Sequence, residues 1–289
     1  MRSSGNTVSR KHKQVRSVPL VLVALWMLAP VAMAQQSVKR VLVLDWYNKD
    51  TAWNVSFERS FKAVLQSAPD RTVEYYNEYL ETNRFPGEHQ SQLLRDYLRQ
   101  KYADRAIDVL VANSDTPMDF LLKYRNELFP HAPIVFVAAR RPTGEELADP
   151  SGITGILNIN TYKETLDLAL QLHPDTEQLF VVSGTLSHDK RFEKRAREEL
   201  QRYQSKLRIT YLTDLSPAEL LAQAKKLPKR SMVFYIWQQF QDENGRILEA
   251  SVILNSFASS TPAPIYAMTE TYLGAGLIGG YVTTPETFA

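Results

Sequence analysis

Ile107 to Tyr124, I-D-V-L-V-A-N-S-D-T-P-M-D-F-L-L-K-Y, constrains the chain more than any other stretch. Ile107 to Ala112 is a short apolar run rich in Val, Leu and Ile, the pattern of a strand covered on both faces, as in a parallel sheet. The run stops at Asn113-Ser114-Asp115-Thr116-Pro117. Ser, Asp and Thr cap helices, and Pro suits the first helical turn. Met118, Leu121 and Leu122 then predict the inner face of a helix. The unit is strand, polar lip, helix. In open α/β sheets small molecules bind at such lips, beyond the carboxyl ends of the strands.

The unit repeats. Lys39 to Asp45 predicts a strand ending in the lip Asp45-Trp46-Tyr47-Asn48, and a helix follows near Asn54 with Phe57, Phe61, Val64 and Leu65 on one face. Val73 to Leu80 predicts a second strand, and Leu94, Tyr97 and Leu98 the inner face of the next helix. Pro133 to Ala139 predicts a fourth strand. Alternation of this kind implies right-handed crossovers and a largely parallel sheet. Arg140 to Pro150 has no periodicity, and Ser151 to Leu157 reads as an extended connector.

The rhythm then restarts. Thr161-Tyr162-Lys163-Glu164 and Ser216-Pro217-Ala218-Glu219 both fit the capping box, in which hydroxyl and carboxylate each satisfy a free backbone N–H. Strands are predicted at Gln178 to Ser183, Leu207 to Leu212, Ser231 to Trp237 and Pro264 to Met268, with a turn at Asp242 to Gly245 and a helix over Ile247 to Phe257. Two α/β halves with a seam near residues 150–160 make a cleft, a favoured place for a ligand.

The N-terminus gives an address. Arg2, Arg10, Lys11, Lys13 and Arg16 precede an apolar run, Val18 to Val31, and Ala32-Met33-Ala34 forms a small-x-small cleavage site. That is the pattern of a secretory signal peptide over residues 1–34, and the apolar run is short for a spanning helix. Its removal takes five positive charges from a formal +2, leaving −3, so no nucleic-acid footprint is expected. The basic run Lys190 to Arg202 carries Glu193, Glu198 and Glu199 and reads as the solvated side of a helix that turns Phe192, Ala196, Leu200 and Tyr203 inward. There is no cysteine, hence no disulfide and no thiolate metal site.

Catalytic and cofactor signatures are weak. Gly274-Ala275-Gly276-Leu277-Ile278-Gly279 matches G-x-G-x-x-G by letter but lacks the strand, helix and downstream acid of a dinucleotide site; its glycines suit a sharp turn. No pair among His12, His89, His131, His173 and His188 has metal-ligand spacing, and each reads as a surface or capping residue. No G-x-S-x-G or Walker A occurs, so an exported hydrolase using Ser114 or Ser183 is the disfavoured alternative. Neither a cofactor, a metal nor a catalytic residue is expected.

The order of motifs resembles the ABC-transporter substrate-binding-like group of the type 1 periplasmic-binding-protein fold, which includes extracytoplasmic sensor regions of bacterial histidine kinases. The likeness is carried by Val41 to Tyr47, Glu78-Tyr79-Leu80, Arg84-Phe85-Pro86-Gly87, Ile107 to Asn113, Glu127-Leu128-Phe129-Pro130 and Pro133 to Phe136. In the second half it continues through Ile153-Thr154-Gly155, Leu172-His173-Pro174-Asp175, Val182-Ser183-Gly184 and Thr271-Tyr272-Leu273-Gly274. It implies an α/β, two-lobed protein with parallel sheets flanked by helices. Lobe 1 would span 38–155 and lobe 2 156–272, with 273–289 returning to lobe 1 and ending some 25–40 residues short of the usual pattern, as in a longer protein.

The expected function is an exported small-molecule receptor, either the sensor input of a histidine kinase in a two-component system or the free substrate-binding protein of an ABC permease. The sensor is favoured by the motifs between Glu78 and Phe136. The expected ligand contacts are the lips: Asp45, Trp46, Tyr47, Asn113, Ser114 and Asp115 from the first lobe, then Ser183, Trp237, Gln238, Glu270 and Tyr272 from the second. Ala138, Ala139, Gly184, Gln239 and Thr269 lie at the same lips. If Asp45, Asp115 and Glu270 converge, the cleft is acidic and suits an amine or, with helix N-termini nearby, an amino acid.

Overall fold

Residues with apolar side chains on both sides of a strand can be satisfied only between two helical layers, and the first strand shows this directly. In β1 (Lys39–Asp45), Leu42 and Leu44 enter one core while Val41 and Val43 enter another on the opposite face. The computed structural model describes residues 1, 5, 38–67, 72–146, 152–159, 161–236, 239–241, 247–248 and 250–289. Nearly all of the signal region, the Asp242 to Gly245 turn, Trp237 and Gln238 lie outside the described residues.

The first sheet has the order β2-β1-β3-β4-β5, with β2 (Val73–Tyr79), β3 (Val109–Asn113), β4 (Ile134–Ala138) and β5 (Ile153–Leu157), all neighbours parallel. Three helices connect its first four strands: α1 (Ala52–Gln66), α2 (Glu88–Lys101) and α3 (Asp115–Leu128). The stretch read as a connector is thus a fifth strand. Its pairing depends on Gly155, which lies opposite Phe136, where a Cβ would sit 2.2 Å from the Phe136 carbonyl oxygen.

The second sheet repeats the design in the order β11-β8-β6-β7, from β6 (Gln178–Val182), β7 (Arg208–Leu212), β8 (Ser231–Tyr235) and β11 (Ile265–Tyr266), again parallel. Helices α4 (Tyr162–Leu172), α5 (Ser187–Leu200), α6 (Pro217–Ala224) and α7 (Ala250–Ala258) flank it. Leu179 and Val181 face one core, Phe180 and Val182 the other. A short antiparallel pair, β9 (Phe240–Gln241) and β10 (Ile247–Leu248), precedes α7, so the helix expected from Ile247 begins at Ala250. After β11 the chain bridges Tyr266 to Gly279 and Thr269 to Thr283, and Phe288 then packs on the Phe57 core of the first sheet. Gly274 and Gly276 hold φ of 87° and 93°, the turn role read for them.

The two capping boxes part company. At Ser216 the Glu219 N–H donates to the hydroxyl (3.3 Å) and the Ser216 N–H to the Glu219 carboxylate (2.8 Å). The Thr161 hydroxyl instead donates to the Tyr281 carbonyl at 2.5 Å, tying α4 to the returning segment. Some helix faces also differ: Tyr97 and Val64 are exposed, while Leu98 and Phe57 are buried. Among the described residues no helix is long and apolar enough to cross a membrane.

Candidate functional site

In a sheet ordered 2-1-3-4-5, the strands flanking the topological switch are β1 and β3, and the crevice opens between their carboxyl ends. The second sheet has its own switch between β6 and β8. A solvent-open cavity of about 120 Å³ lies where these ends meet. From the first sheet it is lined by Trp46 and Tyr47 after β1, Asn113, Ser114 and Asp115 at β3, and Val137 to Ala139 at β4. From the second come Tyr235, Met268, Thr269 and Tyr272.

The first-sheet wall is built by cross-strand register. Asp45 pairs with Asn113 across β1 and β3, and Asn113 with Val137 across β3 and β4. Asn113 Nδ2 donates to Asp45 Oδ1 at 2.6 Å, and Asn113 Oδ1 accepts from Trp53 Nε1 at 3.2 Å. The amide is therefore fixed at both ends, and Trp53, on the first turn of α1, is held as a wall of the cavity. Asn54 donates to the carbonyls of Tyr47 (3.1 Å) and Asn48 (3.0 Å), which pins the β1–α1 lip. Asp45 itself is 1 % exposed and lies beneath the wall rather than on it. Burial raises its carboxyl from 3.8 to about 7, against hydrogen bonds from Asn113 and Asn77.

Ser114 has φ 120° and ψ 170°, a conformation that side-chain-bearing residues rarely adopt. It is the turn that swings Asp115 to the start of α3, where Asp115 Oδ1 accepts the Ala139 N–H at 3.0 Å. Burial raises the Asp115 carboxyl above its ordinary range, with Arg191 opposing.

Contacts between the two halves close over this floor. The Trp46 and His188 rings meet edge to face at 4.3 Å, and Tyr47 OH lies 3.4 Å from His188 Nε2. His188 is at the start of α5, as read, but is buried there; its Nε2 is 2.8 Å from Asp189 Oδ1. Arg195 donates to the Ala139 carbonyl at 3.2 Å, Arg191 lies 3.7 Å from Asp119, and Asn83 donates to Gln239 at 3.4 Å.

The cavity therefore gathers Trp46, Tyr47, Asn113, Ser114, Asp115 and Tyr272 of the residues singled out by sequence, with Ala138, Ala139 and Thr269. Ser183 is not on its surface: it is 1 % exposed and donates to the Asp189 carbonyl. Glu270 is not on it either, and its carboxyl, raised first by burial, is hydrogen-bonded to Glu286, the partner of Arg59. The expected convergence of three carboxylates thus reduces to Asp115. Sequence reasoning missed Trp53, Asn54, Asn158, Phe192 and Thr283. Only the N-x-x-x-x-W-N spacing from Asn48 offered a hint, since it places two polar-tipped side chains on a first helical turn beside the lip. Among the described residues no group of three or more His, Asp or Glu could hold a metal ion.

No protein-family model and no curated protein matches the chain. Solved structures do. A conserved domain protein from Vibrio cholerae matches with a TM-score of 0.60 at 14 % identity, over 86 % of this chain and 80 % of that one. An ABC domain in complex with L-Trp from Streptococcus pneumoniae gives 0.59 at 14 %, over 87 % and 81 %. An ABC sugar transporter component, a periplasmic sugar binding protein from Legionella pneumophila, gives 0.56 at 14 %, over 86 % and 90 %. The chain has a type 1 periplasmic-binding-protein-like fold, as the motif order implied.

Proposed function

We propose that this protein is an exported receptor for a small molecule held in the cleft between its two sheets. One observation carries the reading: the cavity forms where the carboxyl ends at both switch points face each other, with aromatic walls from each half. Contacts such as Trp46–His188 join the halves beside it, so a ligand touching both would favour the closed arrangement by its differential affinity. The signal-peptide pattern supports export. The structural neighbours named for L-Trp and sugar support a small organic ligand, and amino acids and amines head the candidates.

Hydrolysis is not supported. Ser183 is covered, and no histidine is among the described residues lining the cavity beside Ser114. For output, the Glu78 to Phe136 motifs favour the input region of a sensor kinase over delivery to a permease. Thermal-shift screening against amino acids, amines and sugars tests the receptor reading. A stabilising ligand whose effect disappears in Ala139→Trp, which fills the cavity, is the expected result; a panel with no hit refutes it. The reading frame past Ala289 tests the output: a kinase core supports the sensor, and neighbouring permease and ATPase genes without one support transport.

A further inference from the structure

The polar groups of the cavity are not evenly balanced between donors and acceptors. Most of its side-chain N–H donors, the Asn158 amide aside, are turned to the protein. Trp53 Nε1 is spent on Asn113, the Asn113 amide on Asp45, and the Asn54 amide on two carbonyls. Tyr235 OH donates to the Ala250 carbonyl at 3.1 Å, and the Ala139 N–H to Asp115. The indole N–H of Trp46 has no partner among the described residues but is itself covered. Among the described lining residues there is no Lys, Arg or His.

The acceptor side is different. Asp115 commits Oδ1 to Ala139, and among the described residues no protein donor reaches Oδ2. It is the single ionisable carboxylate among the described lining residues, and rings of Trp46, Tyr47, Trp53 and Tyr235 stand in the same walls. A partly desolvated carboxylate needs a charged donor, and aromatic faces attract cations. The nearest cations are already engaged: Arg191 faces Asp119, and Arg140 is paired with Asp119 and, at 2.7 Å, with Glu146. The N-terminus of α3, which favours an anion, has one in its first turn in Asp115. A ligand carboxylate would meet no lining cation among the described residues; the one helix start it could approach is the first turn of α1, which reaches the cavity through Trp53 and Asn54 and carries no acid.

Resting on the receptor reading above, we infer that the ligand is an organic ammonium ion with an apolar or aromatic body and no carboxylate, its N–H groups directed to Asp115 Oδ2. This narrows the amino acid or amine of the sequence reading to the amine.

The test uses three probes that share one ring: 2-phenylethylamine, phenylalanine and 3-phenylpropionate. They are titrated into the mature protein and followed by intrinsic tryptophan fluorescence and calorimetry. The amine is expected to bind at least about tenfold more tightly than phenylalanine, with phenylpropionate weakest. Asp115→Asn, which keeps an acceptor for Ala139, is expected to lower amine affinity at least about tenfold while leaving phenylpropionate unchanged or tighter. The ranking on the unmutated protein stands even if that variant folds poorly. Phenylalanine or phenylpropionate binding as tightly as the amine overturns the inference, as does an amine affinity indifferent to Asp115→Asn in a folded variant. If phenylalanine wins and Ala139→Trp abolishes its binding, the charge assignment falls while the receptor reading stands. If no probe binds, the inference falls, and the receptor reading is judged on the wider panel alone.

Discussion

Asp45 yields the sharpest test, because its burial predicts a stability change opposite in sign to that of most carboxylates. Its carboxyl rises from 3.8 to about 7 in the folded protein. Between those values the folded state holds a proton that the unfolded chain has released. Stability contributed by this residue therefore falls as pH rises through the window, and the full cost is present above about 7. At 1.36 kcal/mol per pH unit the cost of ionising it in place is about 4 kcal/mol.

The surroundings explain why neutral is preferred. Asp45 accepts from Asn113, an arrangement an amide oxygen can also serve. Asn77 also hydrogen-bonds the carboxylate, so the preference for the neutral form comes from burial, which outweighs both amides. The amide of Asp45→Asn is neutral at every pH and escapes that cost. The variant is therefore expected to gain on the parent as pH rises, with a larger gap at about pH 8.5 than at about pH 5. Exposed carboxylates such as Glu146, held down at about 2 by Arg140, lose stability on acidification in both proteins and cancel in the comparison. Urea unfolding of both proteins at about pH 5 and about pH 8.5 reads the change directly. A gap that widens between these two pH values by about 3 kcal/mol is expected, the rest of the cost having accrued below about pH 5. A gap that does not change with pH would refute the reasoning.

Other substitutions test the backbone and the crossing. Ser114→Gly relieves the φ 120° strain and should raise Tm by roughly 2–4 °C in calorimetry, since such strain costs on the order of 1–3 kcal/mol; a fall in Tm contradicts the strain argument. Gly155→Ala forces a Cβ onto the Phe136 carbonyl and should cost more than about 2 kcal/mol in urea, whereas a neutral effect would show that β5 can detach. Thr161→Val leaves the Tyr281 carbonyl without its donor and should cost about 1–2 kcal/mol, with Thr161→Ser restoring it; equal losses in both would point to packing instead.

Much of the fold was legible because buried parallel strands leave a plain signature. Val-Leu-Val-Leu after Arg40 and Val-Leu-Val-Ala after Asp108 can lie only between two apolar layers. The fifth strand was not legible. Ile153-Thr154-Gly155-Ile156-Leu157 is exposed along much of its length and carries a glycine whose value lies in the carbonyl of its neighbour, not in its own sequence. Thr161 failed as a capping residue for a similar reason: its competing acceptor is Tyr281, 120 residues away. Trp53 and Phe192 read as a helix start and a core face, and only the meeting of the two halves makes them cavity walls.

The lips show how far a linear reading reaches. Across β1, β3 and β4 the residues Asp45, Asn113 and Val137 lie side by side in one row. Asn113 and Val137 of that row reach the cavity, as do Trp46, Ser114 and Ala138, the residues next in the chain, whereas Asp45 does not. Asp45 and Asp115 are equivalent in sequence terms, both carboxylates at a lip. Yet Asp45 belongs to that row and accepts from Asn113 beneath the wall, while Asp115, two residues past Asn113, lines the cavity. The strand order decides this, because it sets β3 beside β1 and brings Asn113 under the lip of another strand. Glu270 lies apart from both, since its sheet ends at Tyr266 and the turn that follows carries it to Glu286. The placement of these carboxylates is thus a property of strand order, and Asp115 is the one that the described lining of the cavity retains.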